Sequence, residues 1–207
     1  MADFEIVPGL RFVDRRGWGA NTSIPRLGNQ VARGARTHVI IHHTVMPDTD
    51  GSPNLWETDA EVFAMMQRLQ TVRPDLGRDV PYNFVVFLVS GGTKIIVCEG
   101  RGEDRSGAHT KGHNTTGIGV CFAGNFEDGA IDPMEISSRM FLVSHFLGWL
   151  KFSASHPSYG NFAPMSNLGN LRPQNRAVFF HEDFKNTACP GRRIKPHAAQ
   201  VRFINPA

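Results

Sequence analysis

An α/β fold is predicted for this chain, a single domain in which a central mixed β-sheet is flanked by α-helices. Three observations carry that expectation. Short β-branched runs alternate with amphipathic helical patterns; no internal repeat, charge block or Pro- or Ser-rich linker divides them. The 207 residues are enough for one substantial core and few for two domains with a linker. One domain over residues 1–207 is therefore expected.

Taken in order, His38 to Ile41 (His-Val-Ile-Ile) reads as a strand, with His42 and His43 directly after it. Thr58-Asp59-Ala60-Glu61 is a capping-box pattern, and Val62, Met65, Met66 and Leu69 follow at helical spacing, which predicts an amphipathic helix. Tyr82 to Val89 predicts a second strand, Thr93 to Val97 a third after the turn Ser90-Gly91-Gly92, and Ile118 to Phe122 a fourth. Asp132 opens a second helix, with Pro133 at its first position and Ile136, Met140, Val143, Leu147 and Leu150 as its apolar stripe. Ser153 to Asn175, rich in Pro, Ser, Asn and Gly, reads as a long surface loop. Ala177 to Phe180 then looks like a last strand that delivers His181, and Ile194 to Val201 like a short terminal helix.

The composition, 41% hydrophobic and 20% charged, is that of a globular protein and argues against disorder. The longest apolar stretch, Phe84 to Val89, is far short of the roughly 20 residues that span a bilayer as a helix, so stable membrane insertion is not expected. Asp3, Glu5, Pro8 and Gly9 do not make the basic and apolar regions of a secretory signal, and synthesis in the cytoplasm without a signal peptide is expected. A net charge of +3 favours anionic partners but does not choose among them. The basic residues are scattered without aromatic interleaving, so a nucleic-acid partner is not expected. Cys98, Cys121 and Cys189 form no C-x-x-C pair, which excludes a disulfide framework and a four-cysteine zinc site. Cys98 and Cys121 lie in strand-like apolar runs and read as buried hydrophobes.

Catalytic zinc takes three protein ligands of nitrogen, sulfur or oxygen and keeps a fourth position open. His42 and His43 end a strand, where successive side chains face opposite ways, so only one of them should point at a metal. His181 and Cys189 are joined by a loop that can return a thiolate beside an imidazole, with Pro190-Gly191 turning the chain after the sulfur. Alone, that pair also fits a purely structural role. Tyr82 follows Pro81 at a strand start, where its hydroxyl could reach a cleft or equally be satisfied in the core.

Five segments occur in order: Arg15-Arg16-Gly17-Trp18-Gly19-Ala20, Val39-Ile40-Ile41-His42-His43-Thr44, Val80-Pro81-Tyr82-Asn83-Phe84, Gly107-Ala108-His109 through Asn114 to Ile118-Gly119-Val120, and His181 through Thr187-Ala188-Cys189-Pro190-Gly191. Over roughly residues 10 to 200 the chain resembles the type-2 N-acetylmuramoyl-L-alanine amidase and peptidoglycan recognition protein superfamily. That resemblance implies one zinc ion held by His42, His181 and Cys189, and hydrolysis of the amide between N-acetylmuramic acid and L-alanine. It implies that Tyr82 helps to stabilise the oxyanion and that His109 lines the groove for the muramyl peptide. His43 and Asn114 are placed with His109 at the substrate side, His43 chiefly as a support beside the metal and Asn114 chiefly fixing its loop by hydrogen bonds.

Thr187 stands where phage-type members often carry a catalytic lysine. Threonine supplies no positive charge, and the resemblance leaves Thr187 as a catalytic hydrogen-bond donor. Lys185, at a different offset from Cys189, reads as a solvated surface residue. Glu182 and Asp183 flank His181 and could orient its ring. Peptidoglycan is the expected partner, a monomer the expected state, and no separate wall-binding domain is expected. The settings implied are a phage endolysin that reaches the wall once the membrane is permeabilised, the one favoured, or a bacterial amidase of wall turnover or recycling. A recognition module that does not cut is the alternative, against which Cys189 argues, since such receptors typically lack the cysteine.

Overall fold

The computed structural model describes residues 2–47, 54–92, 94–128, 132–153, 155–157, 159–173 and 175–206. Its elements are β1 (Asp3–Val7), β2 (Leu10–Val13), β3 (His38–His43), α1 (Asp59–Leu69), β4 (Phe84–Leu88), β5 (Ile95–Glu99), β6 (Gly117–Phe122), α2 (Pro133–Phe152), β7 (Ser155–His156), β8 (Gly160–Asn161), β9 (Phe179–Phe180) and α3 (Lys195–Ala198). Seven strands form one sheet in the order β1-β2-β5-β4-β6-β3-β9. β1 and β2 are antiparallel, as are β4 and β5, whereas β2 runs parallel to β5 and β6 parallel to both β4 and β3. This is the mixed sheet flanked by helices that the sequence predicts.

Period-two alternation sorts the strand side chains onto two layers. Val39, Ile41, Phe84, Val86, Val120 and Phe122 turn to the face covered by α2, whose Ile136, Met140, Val143 and Leu147 complete the larger core. Val85, Phe87, Ile96 and Cys98 turn to the other face, where Val62, Met65, Met66 and Leu69 of α1 cover them. No residue of β3 belongs to that second core, so the sheet face carrying His42 is left to loops.

Both helices begin where expected. Thr58 accepts from Glu61 N while the Glu61 carboxylate accepts from Thr58 N at 3.0 Å, a complete capping box, and Asp132 accepts from Met134 N at 2.7 Å. Strand limits differ more. β3 continues through both histidines, β4 starts at Phe84 so that Tyr82 lies in the bend before it, and β5 starts at Ile95; Thr93 lies outside the described residues. The hairpin β1–β2 extends the sheet beyond the expected strands. The stretch after α2 is anchored to that helix: Tyr159 and Phe162 pack edge-to-face against Trp149, and Met165 and Leu168 are buried. Among the described residues no helix is long and apolar enough to cross a membrane.

The segment between β5 and β6 has no strand or helix, yet much of its backbone is buried. Its carbonyls are met by Arg36, a fully buried guanidinium just before β3. Arg36 donates to Glu103 O (3.1 and 2.9 Å), Asn114 O (3.3 Å), Thr115 O (2.9 Å), Gly117 O (2.9 Å) and Arg105 O (2.5 Å). Burial brings its pKa down to about 10, still high enough to keep it charged at neutral pH. Asn83 braces the same segment from the bend before β4, donating to Gly102 O (2.7 Å) and Arg105 O (2.9 Å) and accepting from Gly119 N (2.8 Å). Replacing Arg36 by Met keeps the volume but strands these carbonyls, and a loss of at least about 3 kcal/mol is expected from the urea midpoint. A loss under about 1 kcal/mol, typical of a surface change, would show the loop is held by other means.

Candidate metal centre and groove

Parallel register sets His42 of β3 opposite Cys121 of β6, on the face that α1 leaves open. His181 follows β9 at the parallel edge of β3, in a single 3-10 turn over His181–Asp183. From there the chain returns to Cys189, whose turn is closed by Gly191 N donating to Ala188 O at 2.7 Å. Gly191 has φ +98°, and a Cβ there would meet the Phe126 backbone at 2.4 Å, so only glycine lets this turn seat against the sheet.

The result is a cluster in which ligand atoms of His42, His181 and Cys189 all lie within 4.8 Å of one another. Cys189 Sγ is 3.7 Å from His42 Nδ1. Tetrahedral zinc with bonds of about 2.0–2.3 Å holds its ligand atoms roughly 3.3–3.8 Å apart; the sulfur–nitrogen separation falls in that range, and two imidazoles with a thiol are a donor set that suits such an ion. Burial lowers the pKa of His42 far below the usual imidazole value and that of His181 less far, which keeps both ring lone pairs available. Burial pushes the Cys189 thiol up to about 12, partly opposed by the hydrogen bond from His43 N to its sulfur.

Tyr82 stands beside this cluster, its ring centroid 5.3 Å from that of His42. Burial, then the neighbouring Cys121 and Cys189, raise its pKa well above 10, so the phenol remains a hydrogen-bond donor. Thr187 Oγ1 accepts from Cys189 N at 3.3 Å, which shapes the cysteine turn and leaves the hydroxyl proton for another acceptor. His42, Tyr82, His181, Thr187 and Cys189 line a cavity of about 320 Å³, and an adjoining one of about 420 Å³ shares Arg73, Leu76, Ala108, His109 and His181 with it. Together they form one groove, rimmed by the exposed cations Arg73, Lys111 and Lys185.

Of the three residues placed with the substrate side, His43 and Asn114 act as the supports expected of them, and His109 turns inward rather than toward the groove. The His43 ring is buried on the opposite sheet face, its Nδ1 accepting from Phe126 N at 3.2 Å, because neighbouring strand residues alternate. Asn114 accepts from His109 N (2.8 Å) and Thr110 N (2.9 Å), which closes the loop around His109. His109 is only 8% exposed and turns inward, its Nδ1 3.1 Å from His42 Nε2. Glu182 and Asp183 are likewise engaged away from the His181 ring: Glu182 pairs with Lys195, and Asp183 pairs with Arg176 and caps Phe180 N. Arg36, Asn83 and Thr110 were not singled out from the sequence; Asn83 and Thr110 lie inside or beside recognised segments, but nothing local marks a buried role.

A model of the N-acetylmuramoyl-L-alanine amidase family, Amidase_2, matches residues 32–192, and the chain belongs to that family. It is 28% identical over 190 residues to peptidoglycan-recognition protein SC1a/b of Drosophila simulans, covering 90% of this chain and 83% of that relative. Its fold is similar to that of Drosophila PGRP-LB (TM-score 0.65, 19% identity, 95% and 96% of the two chains). It is also similar to human PGRP-IBETAC in complex with glycosamyl muramyl pentapeptide (TM-score 0.62, 19% identity, 91% and 94%). The type-2 amidase and peptidoglycan recognition fold expected from the motifs is the fold observed.

Burial holds His38 and His43 down to about 4 and His109 to about 3, against about 6.5 for an unfolded histidine. The unfolded chain therefore binds more protons once the pH drops below about 6.5, and stability falls through the window down to about 4. The urea midpoint of the metal-free protein should decline steadily from pH 7 to pH 4.5; a flat profile would mean these rings are already charged or solvated.

Proposed function

We propose that this protein is a zinc-dependent amidase that hydrolyses the bond between N-acetylmuramic acid and L-alanine in peptidoglycan. The observation that carries the reading is the convergence of His42, His181 and Cys189, beside the Tyr82 phenol, on the floor of a groove. His42 Nδ1, a His181 ring nitrogen and the Cys189 thiolate would hold the ion. Zinc supplies Lewis-acid polarisation of the scissile carbonyl and activation of water.

The chain's own groups account for the remaining chemistry. The carbonyl oxygen gains negative charge as the amide becomes tetrahedral, and the Tyr82 phenol, which stays protonated, donates to it in a partly buried setting where that hydrogen bond is strong. Thr187 offers a second hydroxyl donor in place of a cation. Arg73, Lys111 and Lys185 on the groove rim suit a peptide that carries carboxylates. The muramyl pentapeptide in the human PGRP-IBETAC structure supports a muropeptide as ligand. We further propose a phage endolysin as the setting; three free cysteines suit a protein made in a reducing cytoplasm before it reaches the wall.

Incubated with purified peptidoglycan, the protein should release fragments with free N-terminal L-alanine, detected by mass spectrometry, and a chelator should stop release until zinc is restored. Wall and soluble muropeptides that are bound but never cut would instead make this a recognition module. Cys189→Ser should lose zinc and activity together, whereas Tyr82→Phe should keep stoichiometric zinc and lower kcat by about 10²–10³-fold, the loss expected of an oxyanion donor. Full zinc content in the Cys189→Ser protein would remove that residue from the ligand set.

A further inference from the structure

A histidine that gives Nδ1 to a metal must carry its proton on Nε2. Among the described residues the Nε2 of His42 has no carboxylate or carbonyl as hydrogen-bond partner. It lies 3.1 Å from His109 Nδ1 and 3.4 Å from the Thr110 hydroxyl, which is itself 3.1 Å from His109 Nδ1. We propose that His109 is a positioning residue for His42: its Nδ1 accepts the Nε2 proton, directly or relayed by Thr110, and so keeps His42 Nδ1 bare and aimed at the metal. The inference rests on the zinc reading above.

The surroundings of His109 fit this role better than contact with substrate. A Cβ on Gly119 would lie 2.4–2.7 Å from its ring atoms, and one on Gly107 2.2 Å from its Cδ2. Two glycines thus form a slot that admits the imidazole flat against β6. At the bottom of the slot Nε2 is sealed from solvent and has no hydrogen-bond partner among the described residues, so it is not offered to a muropeptide. Asn114 fixes the backbone on both sides of the ring through His109 N and Thr110 N. The reverse polarity, with the proton on His109 Nδ1, would protonate the His42 nitrogen that faces Cys189 Sγ and is incompatible with a metal there.

Two variants separate hydrogen bonding from packing. His109→Phe fills the slot with a ring but has no acceptor; His109→Asn shrinks the side chain but places Oδ1 near the position of Nδ1. Zinc affinity, measured by competition with a chromophoric chelator, should fall about 10–100-fold in His109→Phe and only a few-fold in His109→Asn, with thermal unfolding of the metal-free forms as the control for packing. Wild-type affinity in His109→Phe, or a loss in His109→Asn as large as in His109→Phe, would overturn the proposal. Should His109→Phe fail to fold, nitrogen-15 spectra of the zinc-loaded wild type decide: the proposal requires an unprotonated His109 Nδ1, and a proton there would sink it. A wild-type protein that binds no zinc refutes the zinc reading itself, whereas zinc bound alike by wild type and His109→Phe refutes this inference alone.

Discussion

One whole side of the site hangs on a backbone with no ladder of its own. The segment between β5 and β6 supplies His109, Thr110 and one wall of the groove, yet it is neither helix nor strand. Buried carbonyls without partners are costly. The Arg36 guanidinium answers four carbonyls of the segment, and that of Gly117 at the start of β6, with a planar fan of donors that no other side chain could match. Because Arg36 lies two residues before the start of β3, the same few residues set the position of the loop and the position of His42. A shift of one is a shift of the other.

The paired histidines exploit the alternation of a strand in a second way. His42 turns to the open face and offers nitrogen to the ligand cluster. His43 turns to the α2 face, where its ring accepts from Phe126 N, while its own backbone N–H reaches across to Cys189 Sγ. Phe126 is also the residue whose backbone Gly191 approaches, and its carbonyl accepts from Arg193 N. The cysteine turn is therefore docked against the residue that His43 holds. A slip of one position in β3 would exchange the two rings and dismantle both arrangements at once.

Legibility followed sequence distance. Capping residues, helix stripes and β-branched strands act over a few residues, and α1, α2 and the central strands were readable from them. The ordered segments around His42, Tyr82, His181 and Cys189 pointed to those residues, and the fold brings their side chains together. The hairpin β1–β2 was missed because it is held by pairing with β5, over 80 residues away, and Asp3-Phe4-Glu5-Ile6 shows only a short alternation. Arg36 was invisible for the same reason, since its partners lie 67–81 residues on and a lone arginine in sequence reads as surface. The inward turn of His109 depends on the space beside Gly107 and Gly119, a property of packing that no local pattern encodes.

Under the proposed reading, recognition and cleavage would draw on separable parts of this groove. The cations that suit an acidic peptide stand on loops at the rim, whereas the ligand cluster sits on β3 and the turns after β9, tied to the sheet. Losing the thiol would leave the rim intact, so a fold of this kind can keep its grip on a ligand after it stops cutting. Keeping the thiol is not neutral, because a half-buried sulfur whose burial opposes ionisation brings little to packing that a small apolar residue would not. Under the proposed amidase reading that thiol, two imidazoles held neutral and a phenol held protonated each have a part in hydrolysis, whereas binding alone requires none of them.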